Sequence, residues 1–381
     1  MSLYKFYNWI DINKIAWYHL SANNNAIYIL ENNINKIDWI GLSLNINAIH
    51  LLEKNLDKVD WNMLSFNINA ISILENNFNK INWCNLSRNA NAIHILEKNL
   101  NKVNWNQLSL NINAIHILEN NLNKVNWDCL SDNINTISIL ENNMNKINWD
   151  WLSSNTNAIH ILEKNLDKVH WASLSSNINA IHILENNLDK VNWKWNALSC
   201  NKNAINILEK NLDKVNWYQL SLNPNAIHML KNNIDKIDWT YLSKNPKAIN
   251  ILEKNLDKIS WFCLSSNINA IHILETNLYK IDWCNLAFNI NAIQLLENNL
   301  EKINWVFLSE NSNAIHLLEK NQNKIDWNNL SSNPNIFELD FKFLKNRMDI
   351  IREELMMKLY HPIRFEKYMS MGYDIADEQY I

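Results

Sequence analysis

A tryptophan returns every 22 residues along most of this chain, and that single period leaves few folds open. It stands at Trp17, Trp39, Trp61, Trp83, Trp105, Trp127, Trp149, Trp171 and Trp193. After a two-residue insertion in VNWKWNALSC it continues at Trp195, Trp217, Trp239, Trp261, Trp283, Trp305 and Trp327. A unit this short cannot bury its own apolar face, so neighbouring units must stack into one continuous core. The repeat reads NxNAIxILExNLxKIxWxxLSx, and about fifteen copies fill residues 13–333 without linkers.

Local chemistry divides each repeat into two short helices. Asparagine follows every ladder tryptophan but Trp193 by six residues, from Asn23 through Asn111, Asn223 and Asn245 to Asn333, and proline comes next at Pro224, Pro246 and Pro334. Asn then Pro suits an N-cap and a first helical residue, so a helix is expected to start there. In Asn113–Asn121 and beyond, Ala114, Ile115, Leu118 and Leu122 share one side of that helix. A second asparagine, such as Asn121 or Asn255, marks its expected end, in the left-handed conformation of a C′ residue. Asp or Asn before the tryptophan, as in Asp238 and Asn104, reads as the cap of a second, shorter helix ending near "LS".

The pattern predicts an all-α, elongated, right-handed α-solenoid of about fifteen layers, roughly 140 Å along its curve at ~10 Å per layer. A leucine-rich-repeat-like solenoid is the alternative, because WNQLSLNINAI from Trp105 fits LxxLxLxxNxL. The sixth position of that match must point inward. It is leucine at Leu44, Leu110 and Leu222, but also Arg88, Asp132, Lys244 and Glu310, which favours helices.

Composition narrows the function. A net charge of −4 over 381 residues argues against bulk attraction to nucleic acid or an anionic membrane. Two glycines, Gly41 and Gly372, leave no Gly-rich phosphate loop. The five cysteines form no CxxC pair, so free thiols in a reducing compartment are expected, with no metal and no cofactor. No signal peptide and no apolar run near the ~18 residues of a membrane span is visible. These features predict a soluble, intracellular protein.

Several rows could carry chemistry. Eight of the eleven histidines lie two residues after the repeat alanine, at His50, His94, His116, His160, His182, His228, His272 and His316. Ser or Asn takes the same site elsewhere, so the row reads as a polar, partly exposed stripe. A glutamate row and a lysine row read as solvated and weakly paired with each other, or, for the lysines, as a track for a phosphate backbone. A one-base-per-repeat code would need consistent reader positions, which are lacking. The most variable pair follows the tryptophan and includes Trp151, Tyr241, Phe262 and Phe307, candidate anchors for a protein partner. The serine of "LS" recurs without a fixed histidine partner, so no catalytic set is read.

The ends depart from the repeat. Residues 1–12 form a degenerate capping repeat, with Trp9 at the glutamate position. Residues 334–381 form a C-terminal cap or docking tail, with an amphipathic helix over 341–359 and a basic-aromatic stretch containing Arg364 and Lys367.

With these residues written out, LSLNPNAIHMLKNNIDKIDWTYLSKNPKAINILEKNLDKISW (Leu220–Trp261) resembles the 22-residue LSxNPNAIxLLExNxDKIxW repeats of giant DNA viruses that infect amoebae. The tail is similar to a motif of the same viruses, EL…HPxRxxKxxxxGxDI, matched by His361, Pro362, Arg364, Lys367 and Gly372. Ile, Ala, Thr, Lys or Ser often replaces the family's proline after the cap asparagine, and the insertion at Trp193–Trp195 is a second departure. The resemblance implies an expanded viral family without an assigned activity, supposed to mediate interactions in the host cytoplasm. The expectation is a monomeric, non-enzymatic scaffold for a protein partner. The alternatives are a nucleic-acid-binding array using the lysine row and a structural or virion component.

Overall fold

The computed structural model describes residues 4–188, 194–361, 363, 364 and 366. The chain is an all-α solenoid. Fifteen helices begin on a ladder tryptophan, from Trp17–Ala22 to Trp327–Ser332, and fourteen begin one residue after the repeat alanine or its threonine substitute, from Ile27–Glu31 to Ile315–Lys320. Only two three-residue strands occur among the described residues. A leucine-rich repeat would require a strand in every unit, so that alternative is excluded.

The tryptophan helices start as expected. Asp38 is extended (φ −80°, ψ 111°), and its Oδ1 accepts from the Gly41 N–H at 2.7 Å. Twelve of the fifteen carry such a cap; those after Ala16, His170 and Lys194 do not.

The asparagine rows work differently from the expectation. The helix after Asn45 starts at Ile49, not at the asparagine. Asn45 instead opens a turn: its Oδ1 accepts from Asn47 N at 3.0 Å and its carbonyl from Ala48 N at 3.2 Å. Proline at the next position fits such a turn as well as a helix start. The second asparagine is not left-handed either; Asn33, Asn165 and Asn233 have φ between −138° and −134°. Its side-chain amide satisfies a helix-end carbonyl directly, as Asn121 Nδ2 donates to Ile117 O at 2.8 Å and Asn255 Nδ2 to Ile251 O at 2.8 Å.

Two side chains join each layer to the next. Ser43 Oγ donates to Trp39 O at 2.7 Å and accepts from Asp60 N of the following layer at 3.0 Å. Asn45 Nδ2 donates back to Ser21 O at 3.1 Å and Asn23 O at 2.9 Å. The second clip persists across the insertion, where Asn201 Nδ2 reaches Ser175 O and Asn177 O, both at 3.2 Å. Between these clips runs one core, in which Leu42, Ala48 and Leu52 and their counterparts are fully buried.

The expected open, elongated path is corrected by the ends, which meet. β1 (Tyr4–Phe6) pairs antiparallel with β2 (Phe337–Leu339), Lys5 opposite Glu338. Helix Trp327–Ser332 packs on Trp17–Ala22 as any tryptophan helix packs on its neighbour. The junction reuses the repeat's own bonds. Ala16 N donates to Ser331 Oγ at 2.8 Å, and Lys14 Nζ lies 5.2 Å from the Trp327 ring centroid, as Lys36 lies 5.2 Å from that of Trp17. The fifteen layers therefore form a closed ring, with β1 and β2 in the place of a fifteenth outer helix. Consecutive tryptophan helices are in close backbone contact, whereas consecutive alanine-led helices stand farther apart. Wedge-shaped layers of this kind curve toward the tryptophan side, which becomes the inner wall.

Helix Phe341–Leu359 leaves the ring immediately after β2, with Asp340 Oδ1 capping it through Phe343 N at 3.0 Å. None of its residues is buried. No helix among the described residues is long and apolar enough to cross a membrane.

Candidate functional site: the inner wall of the ring

On each tryptophan helix the third and fourth residues after the tryptophan are Leu and Ser (Ala287 once), and they point into the core. The first, second and fifth therefore lie on the lumen side, with Gly41 and Cys263 at the second position buried beneath their neighbours. These are the variable positions of the sequence, so sequence diversity is concentrated on one surface.

Trp151, Tyr241, Phe262 and Phe307 all lie on this wall. Trp151 is 51% exposed and Phe262 is 61% exposed. Tyr241 rests against Tyr218, and Phe307 against Phe288 with ring centroids 4.6 Å apart. The fifth positions, which sequence reading used only to reject a leucine-rich repeat, add Leu44, Phe66 and Phe288. The wall is polarised. Aromatic and aliphatic side chains occupy the layers of Trp217 to Trp305 and, past the junction, those of Trp17 to Trp61. Asp128, Asp132 and Asp150 occupy the sixth and seventh layers, where Trp151 is the one large aromatic, half a ring away from Val306 and Phe307 in the fourteenth.

The remaining rows are committed elsewhere. The lysine and glutamate rows do not pair with each other. Fourteen lysines lie over the tryptophan of the preceding layer, 4.8–5.4 Å from its centroid, including the ladder rings Trp39, Trp61, Trp83, Trp105, Trp127, Trp217, Trp239 and Trp261. Each such contact is worth about 0.5–1 kcal/mol at an exposed site. The glutamates pair instead with the histidine of the next layer: Glu75 with His94 and Glu141 with His160 at 2.7 Å, and Glu31 with His50 in close contact. At the end of that row Lys320 Nζ hydrogen-bonds Glu297 at 2.7 Å and holds its carboxyl below the ordinary range. This stripe lies on the outer helices. No group of three metal-ligating side chains occurs among the described residues.

In the tail, His361 and Arg364 are exposed, and the Arg364 guanidinium donates to Lys358 O at 3.3 Å. Lys367, Gly372 and Trp193 lie outside the described residues.

All five cysteines, Cys84, Cys129, Cys200, Cys263 and Cys284, fall on the inner wall and are free. Burial, then the Asp128 and Asp132 carboxylates, raises the Cys129 thiol, and burial raises Cys200. Cys263 is buried. Because the thiolate is the nucleophile, a maleimide at neutral pH should label Cys84 and Cys284 first and Cys129, Cys200 and Cys263 slowly. Equal rates at all five, read by peptide mass mapping, would contradict the wall as described.

No family model matches this chain, and no curated protein or solved structure matches it either.

Proposed function

We propose that this chain is a non-enzymatic scaffold that holds a protein partner against the inner wall of its ring. The observation that carries this reading is the segregation of side chains. Serine, asparagine, lysine and tryptophan rows are consumed in joining layers, while the variable residues converge on one concave surface with exposed aromatic anchors. The serine row, the one recurrent nucleophile type, is buried and bonded between layers.

The nucleic-acid reading has less support. The lysine row is stacked on tryptophan, and the lumen positions carry Arg88 and Lys244 against Asp128, Asp132, Asp150 and Glu310, two positive charges against four negative. A duplex would require the opposite balance.

The test compares the purified chain with Phe262→Asp/Trp151→Ala and with His182→Ser, the latter placing on the outer helix a residue that other repeats already carry there. The expected result is a partner retained at moderate salt after nuclease treatment, lost by the wall variant at least tenfold and kept by the outer one. Recovery that collapses with nuclease, or that depends on His182 alone, would sink the proposal.

A further inference from the structure

The helix Phe341–Leu359 presents an apolar stripe that no other described residue covers. Leu344, Met348, Ile351, Leu355 and Leu359 recur at spacings of four, three, four and four residues, and they are largely exposed, Met348 at 64% and Leu355 at 54%. Lys345 and Arg352 border the stripe on one side, Arg347 and Lys358 on the other. Such a helix is built to lie in an apolar groove.

The inner wall offers a groove of matching character. Its apolar half, around Phe262, Phe288 and Phe307, has Glu310 beside it. Net charge is opposite in sign: the helix carries five basic residues (Lys342, Lys345, Arg347, Arg352, Lys358) and three acidic ones (Asp349, Glu353, Glu354), a net of +2, while the lumen positions as a whole sum to −2, with Lys244 and Glu310 on the apolar half and Asp128, Asp132 and Asp150 on the wall facing it. Size permits entry. Fifteen helices at about 8–10 Å spacing enclose roughly 40–48 Å between opposite axes, or about 30–35 Å after side chains, and a 19-residue helix is about 28 Å long and 10–12 Å wide.

The helix cannot serve its own ring. β2 stands on the outer wall, and one residue, the capping Asp340, separates Leu339 from Phe341. No linker exists to carry the helix over the rim without breaking the cap or the strand pair. We infer that the helix of one copy docks in the lumen of a second copy, so that the ring recognises its own tail. This rests on the inner wall being a protein-binding surface.

Sedimentation equilibrium on the full chain tests it with two full-length variants at exposed positions, Ile351→Glu/Leu355→Glu on the helix and Phe262→Glu on the wall. The wild type should rise with concentration toward at least twice its 45.0 kDa mass, and each variant should associate at least tenfold more weakly. An equimolar mixture of the two should regain association, because it still contains one intact helix and one intact wall. A wild type that stays monomeric overturns the inference, as does a wall variant that associates normally. If the wall variant loses a captured partner yet self-associates like the wild type, the scaffold reading stands and the tail inference alone falls.

Discussion

Replacing Phe337 with Asp should open the ring while leaving nearly all of its helices in place. Phe337 is 7% exposed and stacks on Phe6 with centroids 5.3 Å apart and planes 14° apart, at the centre of the contact between the two ends. Loss of a buried aromatic ring costs about 3–5 kcal/mol, and an unpaired carboxylate in the same place adds a desolvation penalty. The strand pair has three residue pairs and one surface ion pair, Lys5–Glu338 at 3.1 Å, to set against that.

The damage should stay local, because a solenoid layer contacts only its neighbours. Small-angle scattering should therefore show a larger maximum dimension and loss of the central hole, with helical circular dichroism retained. Limited proteolysis should begin near residues 4–22 and 327–339. Unchanged scattering would mean that wedge-shaped layers and the Ala16–Ser331 and Lys14–Trp327 contacts close the ring without help from the strands.

How much of this was legible beforehand follows from what a period can encode. The 22-residue spacing, the acidic or amide cap before the tryptophan and the shared apolar side of Ala114 and Leu118 are local facts, and each predicted its structure correctly. Contacts between layers are different. Every row repeats with the same period, so sequence alone does not say which rows become neighbours when layers stack. Lys58 over Trp39, 19 residues back, and Glu75 beside His94, 19 residues ahead, are registers that emerge only from the rise and rotation between layers. The asparagines misled for a related reason. A cap and a cross-layer clip require the same side chain, and the partner carbonyls, Ser21 O and Asn23 O for Asn45, belong to another repeat. Closure was the least visible feature, since curvature depends on a small difference in helix spacing and the strands that join are not part of the repeat. The candidate site, by contrast, was half legible. The variable pair after each tryptophan was evident, but its convergence on a lumen required the ring.

The buried asparagine clip gives the second large effect, and Asn111→Asp isolates it because the two side chains have the same shape. Asn111 is 2% exposed; its Nδ2 donates to Ser87 O and Asn89 O, both at 3.1 Å, and its Oδ1 accepts from Asn113 N at 3.0 Å. Aspartate keeps the acceptor and loses the donor, so two buried carbonyls would face a carboxylate oxygen. Leaving buried groups unsatisfied costs about 1–3 kcal/mol each and more when charge is involved, so a loss of at least ~3 kcal/mol at neutral pH is expected in chemical denaturation. The loss should also depend on pH with a definite sign. The buried, repelled carboxyl should bind its proton more tightly in the folded than in the unfolded chain, so the deficit should be smallest below the unfolded-state value and grow as pH rises through the folded-state value. Protonation additionally restores one O–H donor toward the carbonyls. The control is Asn113→Asp, two residues away, where an exposed Nδ2 donates to Ala90 O at 3.0 Å; water can replace that bond, and the cost should stay below about 1 kcal/mol. Equal losses for the two variants, or no recovery of Asn111→Asp in acid, would mean that the layers are held by apolar packing and that the asparagine row is incidental to it.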